Sequence, residues 1–340
     1  MTICSVGTGM VYWDYHKRKT TLGKEYSMNY KNITVAGGGV LGSQIAFQTA
    51  FKGFKTTVWL RSEGSIGRTE PKLARLKGIY LATLEAMKTN PLAYADGLTD
   101  KKPLTDEEIE ALKAKVIEAA NNLTLTTSYE EAAKDCDLVI ESIAENPQEK
   151  IAFYTELQKY LPEKTVIATN SSTMLPSTFA QYTGRPEKYL ALHFANEIWR
   201  FNTGEVMGHP GTDPKYYEEV AEFAEAIGMV PLRLKKEQPA YILNTLLVPL
   251  LNAAQMLLAT DVASVEDIDR CWEIATGAPA GPFKILDKVG LTTAYNIVSM
   301  RPEAKDPNTL PGKIAAMLKS YIDAGKLGIN AGEGFYKYNR

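Results

Sequence analysis

The chain has 340 residues, a formal net charge of −2, and 45% hydrophobic and 23% charged residues. At roughly 100–200 residues per domain, this predicts two globular domains with core enough to fold without disulfides. The near-neutral charge and the lack of a basic run argue against a nucleic-acid partner, and three scattered cysteines (Cys4, Cys136, Cys271) fit neither a disulfide framework nor a zinc site. A reducing, cytoplasmic setting is expected. Residues 1–27 mix aromatic and basic side chains without periodicity, lack a signal-peptide pattern and precede a second methionine, Met28. They are expected to be an upstream extension or leader.

From Asn32 the chain alternates short apolar strands with helical segments. NITVAG, TTVWL, DLVIES (Asp137–Ser142), TVIATN (Thr165–Asn170) and YLALHF (Tyr189–Phe194) are the strands, and SQIAFQTAFKG is a helix closed by Gly53. This order predicts an α/β fold, a Rossmann-type doubly wound parallel sheet, over 28–235. Between Thr69 and Asn121 the rhythm breaks. Leu73, Leu76, Ile79, Leu84 and Met87 have helical spacing, and PLTDEEIEAL opens a second helix. Thr105 and Glu108 form a capping box there, with Leu104 and Ile109 as a hydrophobic staple. About 50 residues is long for a plain crossover, so a protruding helical arm is expected.

After about Lys235 the strand signals fade, and an all-helical C-terminal domain is expected over 236–340. Its most apolar stretch, Ala240–Thr260, is interrupted by Asn244, Pro249, Asn252 and Gln255. It reads as a buried core helix, not a membrane span, and no membrane partner is expected.

Gly37, Gly39 and Gly42 in AGGGVLGSQIA have the G-x-G-x-x-G spacing of a dinucleotide loop, between a strand and a helix as that motif requires. The glycines permit a tight turn, close approach of a pyrophosphate and helix–strand packing, while the helix start, from Val40 and Leu41, offers N–H groups to phosphates. An NAD-preferring site places an acid after the second strand, here near position 60. This chain has Leu60, Arg61 and Ser62 instead. An arginine beside a hydroxyl suits a 2′-phosphate, so the cofactor reading leans to NADP. NAD stays possible through Glu63 as a displaced ribose ligand, and the plain alternative for Arg61 is a solvated charge.

Of three histidines, His16 lies in the leader and His209 in a turn-like MGHPGT loop. His193 ends an apolar strand in ALHFAN, and Glu205 follows twelve residues on, in TGEVM. A carboxylate on the far ring nitrogen would orient the imidazole and stabilise its charged form. Imidazole titrates near ~6.5, so it can take a proton from an alcohol and return it near neutrality. No His, Cys or acid cluster has metal-ligand spacing, and no metal is expected.

Together ALHFAN with Glu205, TNSSTM, AENPQEK, ILNTLLVPLLN, GAPAGPFKILDKVGL and GKLGINAGEGFY resemble the L-3-hydroxyacyl-CoA dehydrogenase family, across nearly all of Tyr30 to Tyr338. The resemblance implies reversible nicotinamide-dependent oxidation of an L-3-hydroxyacyl-CoA to the 3-ketoacyl-CoA, and a helical domain that forms a homodimer. It implies that His193 is general base and acid and Glu205 its orienting partner. Ser172 and Asn244 would hydrogen-bond the reacting oxygen and the histidine. Glu145, Lys150 and Asn170 would lie on the cofactor side and Asn196 beside substrate or nicotinamide; Ser and Asn otherwise serve turns and caps. Arg68, Lys72, Arg75 and Lys77 of the arm are expected either at the CoA phosphates or on a solvated helix face.

A short-chain substrate such as acetoacetyl-CoA or 3-hydroxybutyryl-CoA, as in butyrate-type fermentation, is the leading expectation. The alternatives are a 3-hydroxy acid without CoA, such as a sugar acid, or a noncatalytic nucleotide-binding, crystallin-like protein. Two features depart from the family: NEIWRFNTG after the histidine, with Glu197, Trp199 and Arg200, and the missing acid at Leu60.

Overall fold

The computed structural model describes residues 30–338, so the expected leader lies outside the described residues. The chain forms two compact units. Among the described residues, one takes those up to Thr169, Tyr182–Val206 and Thr212–Leu232; the other takes Asn170–Gln181, Met207–Gly211 and those from Arg233 on.

Strands β1 (Asn32–Ala36), β2 (Lys55–Trp59), β3 (Thr124–Thr126), β4 (Leu138–Glu141), β5 (Val166–Thr169), β6 (Tyr189–Phe194), β7 (Thr203–Gly208) and β8 (Val230–Leu234) form one sheet in the order β3-β2-β1-β4-β5-β6-β7-β8. From β3 to β6 every pairing is parallel. The order reverses about β1, so β1 and β4 flank a crevice beyond their C-terminal ends, where such sheets bind ligands. Register brings these ends level: Ala36 pairs with Trp59 on one side and with Glu141 on the other. The sequence reading did not include β3, β7 and β8. The first is only three residues, Thr-Leu-Thr, and the last carries Pro231, which an edge strand tolerates because it donates nothing to the ladder.

Helix α1 (Val40–Phe51) follows the glycine loop, α2 (Glu63–Met87) and α3 (Asp106–Asn122) form the excursion, and α4 (Tyr129–Ala133), α5 (Pro147–Leu157) and α6 (Pro214–Ala226) follow β3, β4 and β7. The capping box is present: Thr105 Oγ1 accepts from Glu108 N at 3.3 Å and Glu108 Oε2 accepts from Thr105 N at 2.9 Å. These helices are laid against α1, not held away from it. Leu76, Tyr80, Leu84 and Met87 of α2 and Ile109 and Val116 of α3 share a core with Phe47 and Phe51 of α1. Trp199 joins the same core, 5.5 Å from the Tyr80 ring. One of the unusual residues after the histidine is thereby committed to packing.

In the second unit, α7 (Tyr241–Ala259), α8 (Val265–Thr276), α9 (Pro282–Val289), α10 (Leu291–Ser299) and α11 (Leu310–Asp323) pack around Phe283, Leu286, Leu291 and Leu318. Two buried aspartates fasten its C-terminal turn. Asp269 accepts from the Phe283 and Lys284 amides and the Tyr336 hydroxyl, at 2.8, 3.1 and 3.1 Å; Asp287 accepts from the Phe335 and Tyr336 amides and the Tyr338 hydroxyl, at 2.7, 2.9 and 2.7 Å. A Cβ on Gly281 or Gly334 would lie 2.3 Å from Asp269 Cγ or 2.0 Å from Asp287 Oδ1. The GAPAGPF and GEGFY motifs are explained by this fastening.

The buried-core expectation for Ala240–Thr260 is corrected. Only Tyr241, Leu251, Ala254 and Gln255 of α7 are buried within the chain, while Ile242, Leu243, Leu246, Val248 and Met256 are exposed. By length and composition the helix could cross a membrane, but Leu251 and Ala254 belong to the core of the helical unit.

Candidate active site

The glycine loop is shaped by contacts that exclude side chains. Gly37 has φ +112°, a region that favours glycine, and a Cβ there would lie 2.3 Å from the Ser142 carbonyl oxygen. A Cβ on Gly42 would lie 2.2 Å from the Gly37 carbonyl oxygen, so the third glycine lets α1 start directly beneath the loop. Gly39 is the N-cap position of α1 and has nothing within 4 Å of its would-be Cβ. Val40 is exposed, Leu41 packs against the core, and no acid occupies the first turn. The uncapped first-turn N–H groups are thus left to an anion.

This loop forms one wall of a cleft of about 830 Å³, lined also by Trp59, Leu60, Arg61, Ser65, Arg68, Thr69, Lys72, Ile143 and Phe153. Leu60 is 2% exposed. Glu63 Oε1 accepts from Thr127 Oγ1 at 3.1 Å and is not among the cleft-lining residues. Arg61 reaches Glu149 across the cleft at 3.4 Å, with its side chain 69% exposed. Ser62 precedes α2 without capping it; its hydroxyl lies 3.1 Å from that of Ser65. Arg68 and Lys72, expected either at the CoA phosphates or on a solvated helix face, line this same cleft. They do so because α2 already begins at Glu63, so Ser65, Arg68, Thr69 and Lys72 fall on one helical face toward the glycine loop.

Lys150, expected on the cofactor side, is paired within the fold. Its ammonium is 1% exposed and donates to Glu141 at 2.6 Å, with Glu145, exposed, at 3.8 Å. Glu141 also accepts from Tyr154 Oη at 2.6 Å, Thr169 Oγ1 at 2.7 Å and Ile143 N at 2.9 Å. This carboxylate ends β4, level with Ala36 of β1, and anchors the turn that carries Ser142–Ala144 along the cleft. Burial, then the Glu141 charge, hold the Tyr154 hydroxyl well above its ordinary pKa.

His193 and Glu205 meet. Nδ1 of His193 lies 2.8 Å from Glu205 Oε2, with the side chains 4% and 2% exposed. Adjacent strands β6 and β7 make this possible by bringing residues twelve apart side by side. With Nδ1 engaged by a carboxylate, proton exchange falls to Nε2. Asn196 is exposed on the turn that follows β6. That turn is fastened by Gln44 of α1, whose Oε1 accepts from the Glu197 and Ile198 amides at 2.7 and 3.4 Å, with Glu197 at φ 60°. Neither Gln44 nor Glu141 was identified from sequence. The available hint was a polar side chain on an otherwise apolar element.

Asn170, Ser172 and Asn244 belong to the second unit. There Tyr241 Oη donates to the Ser171 carbonyl at 2.8 Å and Ser177 N to Glu237 Oε1 at 2.8 Å, tying the serine loop to the start of α7. Ala240 and Tyr241 both have positive φ at that entry, 66° and 54°, an unfavourable pair that the buried Tyr241 holds in place. Asn244 follows within the first turn and is half-buried.

A doubly wound sheet, a glycine cradle that fits a dinucleotide and a buried His–Glu pair define a nicotinamide-dependent oxidoreductase. The 3-hydroxyacyl-CoA dehydrogenase NAD binding domain matches residues 32–238 and the 3-hydroxyacyl-CoA dehydrogenase C-terminal domain matches 241–338. The chain belongs to the 3-hydroxyacyl-CoA dehydrogenase family. It is 32% identical to the mitochondrial hydroxyacyl-coenzyme A dehydrogenase of Rattus norvegicus, over 91% of each chain. A probable 3-hydroxybutyryl-CoA dehydrogenase of Bacillus subtilis is 28% identical, over 92% of this chain and 98% of its own. Among solved structures, a diketoreductase described in the substrate-directed dual catalysis of dicarbonyl compounds is 46% identical, with a TM-score of 0.77 over 91% of this chain and 99% of that one.

Proposed function

We propose that the chain interconverts a short-chain L-3-hydroxyacyl-CoA and its 3-ketoacyl-CoA, such as 3-hydroxybutyryl-CoA and acetoacetyl-CoA. The buried His193–Glu205 pair carries this reading. In oxidation, His193 takes the C3 hydroxyl proton at Nε2 while Glu205 stabilises the imidazolium; in reduction, the proton returns to the carbonyl oxygen. The nicotinamide, when bound, accepts or returns the hydride of C3. Gly37, Gly39, Val40 and Arg61 are proposed to hold the cofactor, and Ser172 and Asn244 to hydrogen-bond the substrate.

A second reading is favoured by the 46% identity to a diketoreductase and by Arg68 and Lys72 lying on the glycine-loop cleft. In it the substrate is a dicarbonyl compound without CoA. A 3-ketoacyl thioester is itself a 1,3-dicarbonyl, so the same acid serves both. Steady-state reduction of acetoacetyl-CoA is expected to exceed that of an acetoacetate ester in kcat/KM. A tenfold advantage for the ester would replace the first reading with the second.

The cofactor is proposed to be NADP. A buried Leu60 accepts no hydrogen bond, Glu63 is engaged by Thr127, and Arg61 faces the cleft. Exposure and the Glu149 pair discount the contribution of Arg61, so together with the other cations of the cleft a preference of about tenfold for NADPH over NADH is expected. Arg61→Ala should reduce it while sparing NADH; equal efficiencies in the parent enzyme would remove this reading.

A homodimer is proposed through the helical unit, supported by the exposed apolar side chains of α7. Light scattering at micromolar concentration should give twice the 37.5 kDa chain mass. A mass of one chain rejects it.

A further inference from the structure

We propose that Arg68, oriented by Ser65, is the principal 2′-phosphate ligand of the cleft; this rests on the NADP reading above. The cleft holds three cations, Arg61, Arg68 and Lys72, and they are not equivalent. Arg61 has a carboxylate partner in Glu149. Lys72 Nζ donates to the Gly38 carbonyl at 2.7 Å and, with Thr69 Oγ1 at 3.3 Å on the same oxygen, braces the glycine loop. Arg68 makes no ion pair among the described residues, and its Nη2 donates to Ser65 Oγ at 2.8 Å.

That bond sets direction. Helical side chains lean toward the N-terminus, and Ser65 lies one turn back from Arg68. The guanidinium is therefore drawn toward the start of α2, just past the end of β2, where this fold distinguishes a ribose hydroxyl from a 2′-phosphate. Ser65, accepting from Arg68, keeps its own hydroxyl proton to donate, and Ser62 lies 3.1 Å away. A planar fork with donors beyond the one used on Ser65 matches a phosphate bidentately, as a lysine cannot. The pyrophosphate belongs to the glycine loop at the start of α1, so Arg68 is left for the third phosphate.

The test is calorimetric titration of the full chain with 2′,5′-ADP and with 5′-AMP, which differ only in the 2′-phosphate. The parent protein should bind 2′,5′-ADP at least tenfold more tightly. Arg68→Ala should lose most of that difference while binding 5′-AMP within twofold of the parent, which also shows that the variant is folded. Arg68→Lys should recover only part. If Arg68→Ala keeps the full preference and Arg61→Ala abolishes it, the assignment to Arg68 is overturned while the NADP reading stands. If the parent binds both nucleotides equally, both fall.

Discussion

His193→Gln should lose about 10²–10⁴ of turnover while binding reduced cofactor as the parent does, the range expected for removing a general acid–base. The physical case is the 2.8 Å bond to Glu205 with both side chains buried. Buried there, the carboxylate fixes the ring orientation and leaves Nε2 for proton exchange. Glu205→Gln keeps a hydrogen-bonding group of the same size but removes the charge. It should therefore lose turnover at all pH values while leaving the Michaelis constant for the cofactor near that of the parent. Single-turnover measurements, with cofactor fluorescence as the control for folding, check both variants. Near-normal turnover in folded His193→Gln would remove His193 from the chemistry.

Glu141→Ala is expected to destabilise the protein by about 3–5 kcal/mol, because it strips the short partner from a buried ammonium. Lys150 would be left 1% exposed with Glu145 at 3.8 Å, and the Tyr154 and Thr169 hydroxyls would each lose the hydrogen bond to Glu141. For a chain of this size the melting temperature should fall by roughly 4–7 °C. Glu141→Met with Lys150→Met should recover much of the loss, since it removes both charges and keeps the volume. It should also weaken cofactor binding, because the Ile143 amide no longer has its anchor. Thermal melting of the three proteins separates the cases; a loss below about 1 kcal/mol in Glu141→Ala contradicts the account.

What was legible in the sequence was what local chemistry dictates. Gly37 and Gly42 mark contacts that no side chain can enter, and Gly39 between them leaves the start of the helix open; this arises where a strand turns into a helix at a dinucleotide loop. The capping box at Thr105 and Glu108 lies within one turn and needs no distant partner. Strand and helix periodicity sufficed for the parallel sheet and the helical second unit. His193 and Glu205 were legible as a pair because one was the sole histidine ending a core strand and the other lay a strand's return away.

Tertiary structure decided which partner each long polar side chain takes. Lys150 sits where cofactor contact was expected, yet its ammonium turns inward because Glu141 ends the neighbouring strand in a buried position. Arg68 and Lys72 face the glycine loop because α2 begins at Glu63, ahead of the apolar positions from Leu73 onward that mark it in the sequence. Gln44 fastens the turn after His193 through a contact spanning more than 150 residues, which no local pattern encodes. In α7 the apolar composition was plain, but which side chains the helix buries depends on the neighbours it finds: Leu251 and Ala254 meet the helical core, while Leu246 is left exposed. Local sterics and periodicity act over one turn or one strand; charge pairing and burial act between segments, and only the folded chain brings those segments together.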